Sequence, residues 1–299
     1  MAASKTSFQQ YLEEEVDKVK GVYYPVKAGL LRRAFIKKAP LSKLHPNPND
    51  EFCFPDIGPN YEIISRYERD YRDIQKSGES IHFARGGVSE PLEVEKTKPD
   101  GYMILNGHHR WAAAHRVGLE RIAIHIVDLT QISDIRKMLK KTTSDKRVSL
   151  DLDEVVFRPE DDPNLEKRLS FPLNRIYKER LRLGIPALFY SLRAKGYDIW
   201  IYTSRYYSFE YLRHYFKHYR VEVTGIVTGT ARKSPLTSWS VKEMEKLFET
   251  RYHSTVHIDN DMVLRTFRGS QEFDERPLSG SSATWSREVM DIIGEMDKT

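Results

Sequence analysis

The chain has 299 residues, 39% of them hydrophobic and 30% charged, with 48 Lys and Arg against 43 Asp and Glu for a net charge of +5. A domain usually takes about 100–200 residues, so two domains are expected. The lone Cys53 excludes an internal disulfide framework and a cysteine-rich metal site, no apolar run approaches the roughly 18 residues of a bilayer span, and the opening residues Met1–Lys18 lack the apolar stretch of a signal peptide, so a soluble, cytoplasmic protein without membrane contact is expected.

In chain order, Thr6 to about Lys38 carries helical spacing: Phe8, Leu12, Val16 and Val19 share one face, and Leu30, Leu31, Ala34 and Phe35 make a second short amphipathic stretch. Residues 1–38 are therefore expected to be a helical extension. His45-Pro-Asn-Pro-Asn-Asp is loop chemistry, because its two prolines block both helix and ladder. A helix over Tyr61–Lys76 stops at Gly78. Strands at Pro91–Glu95 and Tyr102–Leu105 flank the turn Lys98-Pro-Asp-Gly. Asn106-Gly107 leads into a helix over His108–Arg116, and Ile122–Val127 is a further strand. Thr130–Lys141 reads as a connecting helix with Thr130 as N-cap.

After the polar stretch 142–147 the grammar changes. Short apolar runs at Val148–Leu152, Ile199–Tyr202, Gly225–Val227 and Thr255–Ile258 alternate with amphipathic helices at Pro186–Lys195, Phe209–His218 and Val241–Thr250. Such alternation predicts a parallel, doubly wound α/β sheet, which binds ligands at the carboxyl ends of its strands. The tail from Gly269 carries no signal beyond a final helix near Trp285–Met296.

Four groups fall at those strand ends. Asp151 and Asp153 are two apart, so on a strand both carboxylates face the same way, one suited to attack phosphorus and the other to move protons. Thr203 and Ser204 place hydroxyls after the second strand, where they suit phosphate oxygens. Lys233 follows the next strand, with Arg232 and Lys242 as competitors for the same neutralising role. Asp259 and Asp261 offer oxygen ligands to a hard cation. His257 reads as a packed strand residue.

These motifs, from Val148 to about Phe267, resemble the haloacid dehalogenase superfamily of phosphatases, in the family's order. The resemblance implies a Rossmann-like domain with a small cap between Phe157 and Leu183. It implies Asp151 as nucleophile, Asp153 as general acid/base, Thr203 as phosphoryl ligand and Lys233 as its neutralising cation. It also implies Mg2+ held by Asp151, Asp259 and the backbone carbonyl of Asp153, with Asp261 as a further member of the acidic set.

In the first half, Asn106-Gly-His-His-Arg110 sets a glycine between strand and helix, where backbone amides and the helix terminus favour an anion. Arg110 adds a two-pronged grip. With Leu41-Ser-Lys-Leu-His-Pro-Asn-Pro, Glu90-Pro-Leu-Glu-Val and the strand Ile122–Val127, this stretch from about Ala39 to Asp128 resembles the ParB/sulfiredoxin superfamily, an α+β fold. The resemblance implies nucleotide-phosphate binding at Gly107, His108, His109 and Arg110. ParB proteins carry Glu-Arg where this chain has His108-His109, and sulfiredoxins need a cysteine at His108. Free-serine kinases of the fold use a similar Gly-His-x-Arg turn.

The expected organisation is a helical extension (1–38), a ParB/sulfiredoxin-like nucleotide-binding domain (39–129), a linker helix (130–147) and a phosphatase-like domain (148–299). The expected function is Mg2+-dependent hydrolysis of phosphate monoesters through an aspartyl-phosphate, with a phosphorylated small molecule or nucleotide as partner. Two alternatives stand beside it: a bifunctional protein whose first domain is a nucleotide-dependent kinase or NTPase, and a nucleic-acid-binding or nucleic-acid end-processing protein.

Overall fold

Helix α1 (Ser7–Val19) buries Phe8, Leu12 and Val19 on one face, as its spacing predicts. It ends far short of Lys38. Gly21 takes φ +76°, which few side chains tolerate, and the chain runs on as strand β1 (Tyr24–Pro25), so the first 38 residues are not one helical extension. The computed structural model describes residues 7–29, 36–77, 90–230, 241–280 and 283–298. The second amphipathic stretch and the stop at Gly78 lie outside these. Two units divide between Asp128 and Leu129.

In the first unit, β2 (Lys37–Pro40), β3 (Leu44–His45), β4 (Leu92–Lys98), β5 (Tyr102–Asn106) and β6 (Arg121–Ile126) form one sheet in the order β2-β6-β4-β5-β3, with β1 paired to the end of β4. β2 and β3 occupy opposite edges, yet only Leu41–Lys43 joins them. Three residues cannot span a flat five-strand sheet at about 4.8 Å per strand, so the sheet curls. Its inner face, with Leu92, Val94, Ile104, Ile122, Ile124 and Ile126, packs on helices α2 (Tyr61–Ser77) and α3 (His108–Val117). Ala112, Ala113 and Ala114 are fully buried, and their small side chains let α3 approach closely. Buried Glu68 of α2 takes Arg72 at 3.1 Å and also pairs with Arg116 of α3.

The second unit begins with the helix read from sequence as a linker. α4 (Ile132–Leu139) packs Ile135 and Leu139 into a cluster with Trp200, Val227, Phe248 and Tyr252, and so belongs to this unit's core. Its cap is Gln131 in a capping box with Asp134. Thr130 is instead drawn inward, its hydroxyl donating to the Ile226 carbonyl at 2.9 Å.

Strands β7 (Lys146–Asp151), β10 (Asp198–Thr203), β11 (Gly225–Thr228) and β12 (Ser254–Ile258) run parallel in the order β11-β10-β7-β12. β13 (Met262–Phe267) and β14 (Phe273–Pro277) extend the sheet antiparallel beyond β12. Alternation along β10 sends Ile199 and Ile201 to one face and Trp200 and Tyr202 to the other. The first face is covered by α5 (Ile185–Ala194), α6 (Phe209–His218) and α8 (Trp285–Met296), the second by α4 and α7 (Val241–Arg251). Both faces of the parallel sheet are thus covered, and the chain as a whole is a mixed α/β fold. Between β7 and α5, β8 (Phe157–Arg158) and β9 (Arg180–Leu181) form a small two-stranded insertion.

Candidate functional site

The register of the second sheet gathers the acidic motifs. Ile258 lies beside Leu150, so Asp259 follows in line with Asp151; Tyr202 lies beside Asp151, so Thr203 comes one step later. Asp151 closes β7 and caps a single wide helical turn, Leu152–Val156. One of its carboxylate oxygens accepts from the amides of Asp153 at 2.7 Å and Glu154 at 2.8 Å. Burial first, then the charges of Asp153 and Asp259, raise its pKa against those two hydrogen bonds.

Asp153 is mostly buried. Its Oδ2 accepts from the Thr203 hydroxyl at 2.6 Å. Its Oδ1 lies 3.2 Å from Nε of Arg205 without a hydrogen-bond partner among the described residues. Thr203 has no exposed surface. Its hydroxyl, expected on a phosphoryl group, is turned to Asp153, because a buried carboxylate needs a donor. Ser204, one residue on, is exposed at the strand end.

Arg205 was not singled out from the sequence. Burial works against its charge, but Tyr207, Asp153 and Asp151 outweigh this and raise its pKa. Lys233 and Arg232 lie outside the described residues, as does the side chain of Lys242.

Asp259 is exposed, with its carbonyl accepting from Trp285 Nε1 at 3.3 Å. Arg182, buried at 5% exposure, stacks 3.9 Å over the Trp285 ring and donates to Asn260 Oδ1 at 2.8 Å. Asp261 is exposed, and its carbonyl accepts from Leu278 at 2.7 Å where β14 ends. Among the described residues, no three His, Cys, Asp or Glu side chains gather closely enough to hold one ion. Asp151 and Asp259 are thus two carboxylates at neighbouring strand ends, to which the backbone carbonyl of Asp153 would have to add the further oxygen of the expected metal set. Asp153 faces Thr203 and Arg205, and Asp261 is fixed through its backbone. His257 is on the surface, hydrogen-bonded to Ser149 at 2.9 Å.

In the first unit, Gly107 links β5 to α3 at φ +102°. A Cβ there would lie 2.5 Å from Leu92 and 3.0 Å from the Arg110 guanidinium, so the turn requires glycine. A cavity of about 320 Å³ opens on this turn, lined by Asp50, Arg66, Tyr67 and residues 105–110. Arg66, contributed by α2, is an exposed cation that the sequence motif does not contain.

Three of the expected ligands carry structural duties. His108 is buried, its Nε2 accepting from the Asn47 amide at 3.2 Å and its Nδ1 3.7 Å from Asp50. Burial lowers its pKa to about 4, against the pull of Asp50. His109 Nε2 accepts from the Asn60 amide at 3.2 Å, and burial lowers its pKa too. Each accepting nitrogen has no proton, so both rings are neutral and brace the loops around the turn. Arg110 is 5% exposed and donates to the Glu90 carbonyl at 2.7 Å, with the Glu90 carboxylate at 3.3 Å. His115 stacks 4.1 Å from Tyr11, a packing role.

Residues 61–143 match the ParB N-terminal domain family. The match opens later than the resemblance read from Ala39 and runs on through α4. Two solved structures of the C-terminally truncated chromosome-partitioning protein ParB from Caulobacter crescentus are similar to this chain at 24% identity. The one complexed with CTP-gamma-S has a TM-score of 0.24 over 34% of this chain and 49% of that one. The one complexed to the centromeric parS site has a TM-score of 0.23 over 35% and 47%. The chain thus spans about half the length of these ParB chains. No curated protein matches it. No described helix is long and apolar enough to cross a membrane.

Proposed function

We propose that the second unit is a haloacid-dehalogenase-type phosphohydrolase that cleaves phosphate monoesters through Asp151. The observation that carries this reading is the paired arrangement at the tip of β7. Asp151 presents a carboxylate beside Asp259, while Asp153 is held two residues on by Thr203 and Arg205.

An Asp151 oxygen attacks phosphorus and the P–O bond to the leaving group breaks. Asp153 gives the departing oxygen its proton. Asp153 then takes a proton from the water that attacks the aspartyl-phosphate, releasing inorganic phosphate and regenerating Asp151. Thr203 and Arg205 keep Asp153 aimed at the leaving group. Ser204, exposed at the strand end, would offer its hydroxyl to a phosphate oxygen, while the Arg205 amide is taken up by the Thr203 hydroxyl at 3.1 Å.

The donor set suits magnesium: hard oxygens only, and carboxylates whose mutual repulsion a cation would relieve. Asp151, Asp259 and the Asp153 backbone carbonyl would hold it. Bound there, it would offset charge on nucleophile and phosphate.

The first unit, in this reading, binds a nucleotide or other phosphorylated ligand at the Gly107 turn. The glycine allows close backbone approach, the α3 N-terminus favours an anion, and Arg66 supplies charge. Neutral, loop-bracing histidines favour binding over proton-transfer chemistry at this turn.

The test is magnesium-dependent phosphate release from a panel of phosphomonoesters by wild type and Asp151→Asn. Activity in wild type and its loss in the variant support the reading. Equal activity in both overturns it. CTP, CTP-gamma-S and ATP are the probes for the first unit, with Gly107→Ala and Arg66→Ala as controls.

A further inference from the structure

The curl of the first sheet leaves a cleft on the far side of the β4–β5 hairpin from the Gly107 turn. It has a volume of about 510 Å³. Six cationic side chains line it: Lys37 and Lys38 of β2, Lys43 after it, Lys96 and Lys98 of β4, and Arg121 of β6. The lining contains one acid, Asp100, already engaged by Lys43 and by the Tyr23 hydroxyl at 2.9 Å. These residues are scattered over 85 positions of sequence, which is why no charge run announces them; strand order alone brings them together.

The floor between the cations is not charged. Pro99 and Tyr102 contribute accessible apolar surface to it, above the buried Ala39 and Ile124. At the cleft's edge, Tyr24 lies beside Lys98 in the β1–β4 register and is 51% exposed. A row of cations with an apolar floor and an exposed aromatic ring fits a ligand that carries repeated negative charge and flat, apolar faces.

We propose that this cleft binds a single-stranded nucleic acid, its phosphates along the lysines and a base against Tyr24. Inorganic polyphosphate supplies the charge but nothing for the floor or the tyrosine. A duplex keeps its bases stacked inside, whereas a single strand offers a base face to an aromatic ring. This inference is independent of the phosphohydrolase reading and of the Gly107 cradle.

The experiment is fluorescence anisotropy of the full chain with a labelled single-stranded oligonucleotide over a salt series, with the matching duplex and unlabelled tripolyphosphate as competitors. Each phosphate contact steepens the log–log salt dependence by about 0.7 for single strands. The Lys96→Glu/Lys98→Glu pair is expected to weaken binding at least tenfold and reduce the slope by about 1.4. Lys96→Arg/Lys98→Arg keeps the charge and should stay within about threefold of wild type. Tyr24→Ala should weaken binding with the slope unchanged, since stacking releases no counterions. Lys217→Ala, which removes an exposed cation of the second unit that lies in neither site, should leave binding unaltered. Circular dichroism checks that each variant is folded. The proposal is overturned if wild type fails to bind the single strand at low salt, if charge reversal in folded protein leaves affinity intact, or if duplex or tripolyphosphate competes better than unlabelled single strand.

Discussion

The Thr203 hydroxyl donates to Oδ2 of Asp153 at 2.6 Å, linking the end of β10 to the turn after β7. A phosphate ligand and a positioning residue would fail differently. If Thr203 aims Asp153, Thr203→Val leaves a mostly buried carboxylate short of a donor, a loss of about 1–3 kcal/mol. The expected result is a kcat reduced by roughly 5-fold to 100-fold with KM little changed, and Thr203→Ser restoring most of it. Steady-state kinetics on the best substrate from the panel decides: a rise in KM alone would return Thr203 to the phosphate.

Asp151 supplies a test that needs no substrate. Its folded-state pKa is raised, by burial first and then by Asp153 and Asp259. A raised acid favours the protonated form on folding, so its stabilising contribution is full below the unfolded value and is lost as pH rises through the folded one. At neutral pH the ionised side chain therefore works against the fold. Asp151→Asn keeps the helix-capping oxygen and should melt roughly 1–3 °C higher at pH 7 in chelator-treated buffer, with the gain shrinking below pH 4. Thermal melts at both pH values check it, and an equal or lower melting temperature at pH 7 would contradict it.

Much of this was legible in the sequence, because strand–helix alternation and apolar runs report directly on a buried parallel sheet. The helices Phe209–His218 and Trp285–Met296 occur with the expected bounds. What escaped the reading depends on tertiary placement. Arg66 reaches the Gly107 turn from a helix some forty residues earlier. Arg205 gains its meaning only from Asp153 across the sheet. β14, Phe-Asp-Glu-Arg-Pro, is an edge strand paired on one side, so it shows no apolar alternation. Thr130 has a good cap side chain but is taken by β11, which leaves Gln131 at the helix start.

His108 gives the first unit a pH signature. Burial lowers its pKa from 6.5 to about 4. For a base with a lowered folded pKa, stability is complete above the unfolded value and is lost as pH falls from 6.5 toward 4. That interval corresponds to about 3 kcal/mol. Urea titrations at pH 7 and pH 4.5 should show wild type losing more stability than His108→Gln, which has no ring to charge. Proton NMR of the ring should show no titration between pH 5.5 and 8. A midpoint near 6.5 would place His108 in solvent and undo its role as a neutral brace.

Gly107 is the most constrained position of the turn proposed to bind nucleotide. At φ +102° a side chain is strained, and its Cβ would meet Leu92 and the Arg110 guanidinium. Gly107→Ala should cost about 1–3 kcal/mol and, by displacing Arg110 from Glu90, open the turn. Denaturant melts together with nucleotide-binding isotherms measure both effects. A variant with wild-type stability would show that the turn adapts, and the close-approach argument for phosphate would fall.

Arg182 holds the acidic loop from behind. Its guanidinium stacks on Trp285, whose indole donates to the Asp259 carbonyl, and it also donates to Asn260. Burial first, then the neighbouring Arg158, lowers its pKa to about 10, still far above neutrality, so it remains a cation. Arg182→Met preserves apolar contact with the indole but removes the donor to Asn260, letting Asp259 drift relative to Asp151. Because those two carboxylates would hold the metal, the magnesium concentration for half-maximal activity should rise about tenfold, the order of effect expected of a lost outer-sphere partner. Arg182→Lys should not restore it, since a lysine offers neither the planar stack nor the fork. If both variants keep wild-type magnesium dependence while the protein stays folded, Asp259 is positioned by β12 alone and the Arg182–Trp285 stack serves only packing.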